Sequence, residues 1–193
     1  MALVNILIVI ALSLLVVVKA DLKEDHLGEH NRLRENHGSP PLELDDELTQ
    51  GCEAYAKVLA AKEQLEHSSS AGQYGENLCM RSEKPLKCVQ DWYDEIKDYD
   101  FEKGQFGMGT GHFTALVWKN TKKMGFGQAT DKRGYYWVVA RYYPPGNVNG
   151  QFKENVLPPI NGGGDGQKGN FNMVQVNTIL IFIMLWVCGH YTN

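Results

Sequence analysis

The stretch GHFTALVWKN at residues 111–120 and the stretch YWVVARYYPPGN at residues 136–147 decide the fold. In the first stretch, His112 and Leu116 fall on one face of an alternating pattern, which predicts a strand over residues 111–118. The second stretch is rich in aromatic and β-branched residues up to its Pro-Pro-Gly turn, which predicts another strand ending at that turn. The second half of the chain is therefore expected to form a sheet.

Toward the N-terminus the pattern changes to helical spacing, with buried-type residues recurring every three or four positions. The predicted segments are helices over 22–38, from Asp45 or Asp46 and from Pro85, and strands over 111–118, 124–129 and 135–143, the last two joined by a turn at 131–134. Helices followed by an antiparallel sheet predict an α+β domain built of packed layers.

Four motifs resemble one known family. They are HNRLR at residues 30–34, GENL at residues 75–78, and the two stretches quoted above. In this order they resemble the CAP superfamily (cysteine-rich secretory proteins, antigen 5 and pathogenesis-related 1), and within it the short branch of Golgi-associated pathogenesis-related-like proteins. The resemblance covers residues 21–157 and implies a three-layer α-β-α sandwich with a central, mostly antiparallel sheet and a central cleft.

Two histidines and two glutamates form the candidate metal site: His67, Glu76, Glu95 and His112. Two imidazoles and two carboxylates can hold a divalent cation, or can pass protons between them. The first two residues lie in a region predicted as a loop, Glu95 lies on the third helix, and His112 opens the predicted strand. The resemblance implies that all four line the cleft and that the divalent cation is zinc. It also implies a separate surface for a lipid or sterol.

Two other functions stay open on the sequence. A hydrolase could use Ser82 with His67 and Glu76, because a Ser-His-Glu arrangement can activate a hydroxyl. The sequence contains no Gly-x-Ser-x-Gly elbow to support that hypothesis. An extracellular protein ligand with a non-functional cleft is the other alternative. We expect a binding module rather than an enzyme.

The HNRLR motif also contains two residues with expected structural roles. His30 lies on the inner side of the first predicted helix, which favours a core histidine over a metal ligand. Arg34 is expected to pair with an acidic group across the helix layer.

Cysteine spacing predicts one disulfide bond. Cys79 and Cys88 flank a short segment that contains Pro85, and they are the predicted pair. Cys52 falls in the middle of the second predicted helix and is expected to be a reduced, small, buried residue. Cys188 belongs to the C-terminal segment.

Charge argues against nucleic acid as a partner. The chain has 19 basic and 23 acidic residues, and all but Lys19 and Lys168 lie in residues 21–166. This body therefore carries 17 basic against 23 acidic residues, a net charge of −6, whereas a phosphate backbone is bound by positive charge.

The two ends of the chain read as targeting segments. Residues 1–20 are apolar and end in a small-x-small pattern, which is typical of a secretory signal peptide, with an uncleaved anchor as the alternative. Residues 158–172 form a Gly-rich polar spacer, and residues 173–193 are a hydrophobic segment, the order of a glycosylphosphatidylinositol (GPI) signal. The expected location is the secretory pathway, outside the cell or on its outer surface, with a possible membrane tether at the C-terminus.

The GPI hypothesis predicts that phosphatidylinositol-specific phospholipase releases the protein from the surface of intact cells. Immunoblots of the cell pellet and the medium, before and after treatment, measure the release. Protein that stays with the cells after treatment, or that is found only in the medium without it, contradicts the hypothesis.

Overall fold

The structure, a computed structural model, describes residues 22–69 and 72–160. The predicted signal peptide and the predicted hydrophobic C-terminal segment lie outside the described residues. Within those residues, every helix is too short or too polar to cross a membrane.

The described residues form six helices, one of them a 3-10 helix, and four strands. The elements are α1 Leu22–Glu35, β1 Glu43–Leu44, α2 Asp46–Lys62, β2 Gly75–Arg81, α3 Lys87–Tyr93, a 3-10 helix Asp94–Asp98, α4 Gly111–Val117, β3 Lys123–Thr130, β4 Tyr136–Tyr143 and α5 Phe152–Asn155. The start predicted for the second helix is confirmed, because the Asp45 side chain accepts a hydrogen bond from the Leu48 N–H and caps α2.

The four strands form one sheet in the order β1-β3-β4-β2. Strand β4 pairs antiparallel with both β2 and β3, and the two-residue β1 pairs parallel with β3. Side chains of β4 alternate between two cores, as the pleat requires. Trp137 and Val139 pack with α2, while Val138, Ala140 and Tyr142 pack with α1, α3 and α4. The predicted α+β fold, an α-β-α sandwich around a mostly antiparallel sheet, is confirmed.

Helix α2 lies directly on strand β3 because two positions of that strand have no side chain. A Cβ atom added at Gly125 would overlap the backbone of Leu48, and one added at Gly127 would overlap the backbone of Cys52 and Glu53. The glycines therefore set how closely this helix approaches the sheet.

The strand predicted over residues 111–118 is wrong, because Gly111–Val117 is helix α4. Every residue from Phe113 to Val117 is buried, so this helix has no polar face and shows no helical period in its sequence. Its first N–H groups are satisfied by a residue distant in sequence: the Glu95 carboxylate accepts hydrogen bonds from the backbone N–H groups of His112 and Phe113.

Two further placements differ from the sequence-based expectation. Glu76 lies on strand β2 rather than in a loop, and it faces Arg141 of β4 in the register of the sheet. Glu95 belongs to the 3-10 helix that continues from α3. Both glutamates are thus held by regular backbone structure.

The expected ion pair of Arg34 is also wrong. Its buried guanidinium donates hydrogen bonds to the backbone carbonyls of Pro40, Leu116, Trp118 and Thr121. Carbonyl oxygens at the end of α4 and in the loops beside it take the place of the expected carboxylate.

The predictions for His30 and for the cysteines are confirmed. His30 is fully buried; its Nδ1 donates to the His26 carbonyl and its Nε2 accepts from the Tyr142 hydroxyl. Cys79 and Cys88 form a disulfide bond, while Cys52 is free and buried.

The contact between α2 and β3 predicts that Gly127→Ala lowers the free energy of unfolding by about 3 kcal/mol or more, since the added methyl group overlaps helix backbone. Gly28→Ala is the matched control. Gly28 is exposed on α1 with nothing within 4 Å of an added Cβ, so this change should stabilise the protein by up to about 1 kcal/mol. Urea unfolding followed by tryptophan fluorescence measures the free energy of unfolding of both variants. Similar changes in the two variants would contradict the packing argument.

Candidate metal centre

The first half of the candidate site is a pair formed by His67 and Glu76. His67 lies in the segment between α2 and β2, and its Nδ1 atom is 3.0 Å from Oε1 of Glu76 near the start of β2. The His67 side chain is 56% exposed, whereas the Glu76 side chain is 1% exposed. A buried carboxylate therefore orients an imidazole that faces solvent.

Glu76 is held ionised by a dense set of donors. Its oxygens accept hydrogen bonds from the backbone N–H and the hydroxyl of Ser68 and from Nε of Arg141. Burial alone would raise the pKa of Glu76, but the hydrogen bonds from His67, Ser68 and Arg141 together lower it to about 2. The hydrogen bond to Glu76 in turn raises the pKa of His67 above its ordinary value.

The second half of the site is a pair formed by His112 and Glu95. Nδ1 of His112 lies 2.7 Å from Oε1 of Glu95. The other oxygen of Glu95 accepts the backbone N–H groups that open α4, so one carboxylate fixes both the helix start and the ring beside it. The His112 ring also stacks on Trp92, with 6.4 Å between ring centroids.

A chain of hydrogen bonds joins the two pairs through the sheet. Asn77 follows Glu76 on β2, and its amide nitrogen donates to the carbonyl of His112 and to the hydroxyl of Tyr142. That hydroxyl donates to Nε2 of His30, whose pKa burial lowers to about 4, so that the ring is neutral. Strand β2 and helix α4 are therefore tied together beside the site.

The structure pairs each predicted histidine with one predicted glutamate. It does not bring ligand atoms from three of the four residues within 4.8 Å of one another; among the described residues only Cys79, Cys88 and Asp91 meet that separation. In both pairs the carboxylate bonds the Nδ1 atom, and neither Nε2 atom has a hydrogen-bond partner within the described chain. Metal-binding histidines commonly donate their second nitrogen to a carboxylate in this way, so each pair by itself has the arrangement of a metal-binding histidine.

The serine of the hydrolase hypothesis lies apart from this site. Ser82 follows the end of β2, six residues of extended chain from Glu76, or about 20 Å. Ser68 is close, but its hydroxyl donates to Glu76 rather than to His67. The structure therefore does not assemble Ser82, His67 and Glu76 into one group.

Sequence reasoning missed three residues that hold the site: Ser68, Asn77 and Arg141. A signal existed for Arg141, because it stands on β4 at a position that faces inward, in line with the apolar Trp137 and Val139. A charged residue at such a position needs a buried partner. Its guanidinium also lies over the ring of Tyr74, 4.3 Å from the centroid, which closes the region around Glu76.

Comparisons with known proteins give a consistent result. The family model described as "CAP: Cysteine-rich secretory protein family" matches residues 27–142. "Golgi-associated plant pathogenesis-related protein 1" of Homo sapiens is 52% identical over 139 residues, covering 69% of this chain and 90% of that protein.

Solved structures resemble the fold at lower sequence identity. Schistosoma mansoni venom allergen-like protein 4 matches with a TM-score of 0.56 at 21% identity, over 67% of this chain and 91% of that chain. NaASP2 with Zn2+ matches with a TM-score of 0.51 at 21% identity, over 70% of this chain and 84% of that chain. At this identity the two structures support the shared fold, and the zinc is a property of NaASP2.

The environment of Glu76 predicts a pH-dependent contribution to stability. Because its pKa falls from 4.5 to about 2 on folding, its contribution is complete above about pH 4.5 and is lost as the pH falls toward 2. Glu76→Gln should therefore lower the free energy of unfolding by about 2 kcal/mol at neutral pH and by progressively less in acid.

Urea unfolding of both proteins between about pH 7 and pH 3 measures this difference. Glu66→Gln is the matched control, because Glu66 is exposed and pairs only with Lys62, and its effect should stay under about 1 kcal/mol. If Glu76→Gln lowers the free energy of unfolding by the same amount at every pH, the ionised carboxylate is not the stabilising species.

Proposed function

This chain belongs to the CAP (cysteine-rich secretory protein) family, and from that premise we propose that it is a binding module with a divalent-cation site built on His67 and His112. Zinc is the proposed cation. Glu76 and Glu95 act in this proposal as the groups that orient the two imidazoles, and they are not direct ligands.

The observation that carries the proposal is the identical arrangement of the two pairs. Each histidine has its Nδ1 atom bound to a carboxylate at 3.0 Å or less, which fixes the tautomer with the lone pair on Nε2. A neutral imidazole with its other nitrogen bound to a carboxylate is a more basic ligand for zinc. Imidazole nitrogen suits zinc, whereas calcium and magnesium prefer oxygen ligands.

The polar groups around the site serve binding better than hydrolysis. The Ser68 hydroxyl donates to a carboxylate that also bonds Arg141, so it lacks a base that could take its proton. The low pKa of Glu76 makes this carboxylate a permanent acceptor and a weak base. The proposed role of the chain residues is therefore to present two fixed lone pairs to a cation.

We extend the proposal to a lipid or sterol partner and to a location outside the cell. A hollow of about 560 Å³ between the start of α1 and the start of α3 has apolar walls from Leu22, Pro85 and Leu86. Its polar lining consists of Lys84, Lys87, Glu29 and Gln90, in which the two lysines outnumber the one carboxylate. Apolar walls next to cationic side chains suit an acyl chain that carries an anionic headgroup. Secretion and a C-terminal tether follow from the sequence-based expectation for the two ends.

The proposed site predicts one bound zinc per chain, measured by calorimetry above pH 7. His67→Ala or His112→Ala should abolish binding, because each removes one of two ligands. Glu76→Gln or Glu95→Gln should weaken binding by roughly 10- to 100-fold, the usual effect of removing the partner of a metal-binding histidine.

Affinity should also fall in acid, because the histidines must be neutral to bind. Since the pKa of His67 is raised, the loss should begin above about pH 6.5, the ordinary value for imidazole.

His30→Ala is the control for this series, because His30 is buried and bonds Tyr142 and the His26 carbonyl instead of a carboxylate. It should lose stability and keep zinc binding, with circular dichroism used to verify the fold. Zinc binding that survives in the His67→Ala/His112→Ala double variant would refute the assignment.

A further inference from the structure

Three side chains of metal-binding type meet away from the two histidine–glutamate pairs, where the end of β2 passes α3. They are Cys79 of β2 and Cys88 and Asp91 of α3, and their ligand atoms all lie within 4.8 Å of one another. Cys88 and Asp91 are three residues apart on one helix and therefore point to the same side. As described, the two sulfur atoms are joined in a disulfide bond.

We propose that this cluster is a redox-gated metal site: it holds a disulfide bond when oxidised and a soft divalent cation such as zinc when reduced. The proposal does not involve His67 or His112. Two thiolates and one carboxylate would bind the cation, with water in the fourth position of a tetrahedral site.

The chemistry balances in two steps. Two thiol molecules, or one dithiol, reduce the Cys79–Cys88 bond to two thiols and are themselves oxidised to a disulfide. The cation then replaces the two thiol protons, which are released to solvent, and forms two metal–sulfur bonds. Thiolate ligands select zinc and similar ions over calcium and magnesium.

The backbone around the cluster is held by contacts that do not involve the disulfide bond. Strand β2 pairs with β4 along its whole length, from Gly75 to Arg81. Helix α3 is tied to the same strand because Nε1 of Trp92 donates to the Leu78 carbonyl at 3.0 Å. The two sulfur atoms therefore stay close together after reduction, as a metal site requires.

Access to the cluster comes from the side of Asp91. Cys88 is fully buried and Cys79 is 8% exposed, whereas the Asp91 side chain is 47% exposed. A cation can reach the Asp91 carboxylate directly from solvent, whereas a reductant has to reach the nearly buried sulfur atoms beside it. Cys52, by contrast, lies on the buried face of α2, and burial raises its pKa to about 12, so this thiol stays inert.

Arg81 sets the affinity of the proposed site, because it forms an ion pair with Asp91. A cation must compete with this guanidinium for the carboxylate. Replacing Arg81 by glutamine should therefore tighten metal binding, which a purely structural role of the cluster would not produce.

Cobalt(II) titration of the full chain tests the proposal, because thiolate–cobalt bonds give a charge-transfer absorption band that imidazole and carboxylate do not. The protein is reduced with a phosphine, which takes up the oxygen of one water molecule, and the phosphine is removed under nitrogen. We expect the band, with one cobalt per chain, only in the reduced protein, and its displacement by zinc.

The variants separate this site from other ligands. Cys79→Ser/Cys88→Ser should lose the band although Cys52 and Cys188 are still present. Asp91→Asn should weaken binding at least roughly tenfold, and Arg81→Gln should strengthen it. The His67→Ala/His112→Ala variant should keep the band, so the result does not depend on the proposed histidine site. A reduced, folded protein without the band, a band that survives in the cysteine double variant, or a disulfide bond that is reduced only on unfolding would each overturn the proposal.

Discussion

The layer of α1, α3 and α4 depends on the hydrogen bonds that the buried guanidinium of Arg34 donates. Its hydrogen bonds reach carbonyl oxygens of Leu116 and Trp118 at the end of α4, Pro40 before β1, and Thr121 before β3. A charged group this deep is tolerated because every contact is a strong acceptor. Two segments distant in sequence, residues 34–40 and residues 116–121, therefore have to meet around one side chain.

Helix α4 shows what this arrangement achieves. It is only seven residues long, and its ends carry charges that suit the helix dipole: the Glu95 carboxylate at the first turn and the Arg34 guanidinium at the last. Both charges come from other helices. His112 sits in the first turn of α4, so the Glu95 carboxylate that bonds the start of the helix also positions the His112 ring.

The same dependence explains what could be predicted from sequence. The motifs at residues 30–34, 75–78, 111–120 and 136–147 were sufficient to predict the sandwich, and the resemblance that they carry named the four candidate site residues. They could not show that α4 is a helix. The side chains that bond its two ends lie 17 or more residues away in sequence, and its residues from Phe113 to Val117 are all buried. They also could not show that Glu76 and Glu95 bond Nδ1 atoms, because that depends on tertiary distances.

The direct contact between α2 and the sheet has a consequence for how this protein can change. In the layer of α1, α3 and α4, large side chains fill the space, so one substitution can be compensated by another across the gap. Where α2 crosses β3, the glycines at 125 and 127 leave no side chain to exchange. Single substitutions can therefore change the layer of α1, α3 and α4 one at a time, in evolution or in protein engineering. The residues of α2 and β3 that touch at the glycines can change only together.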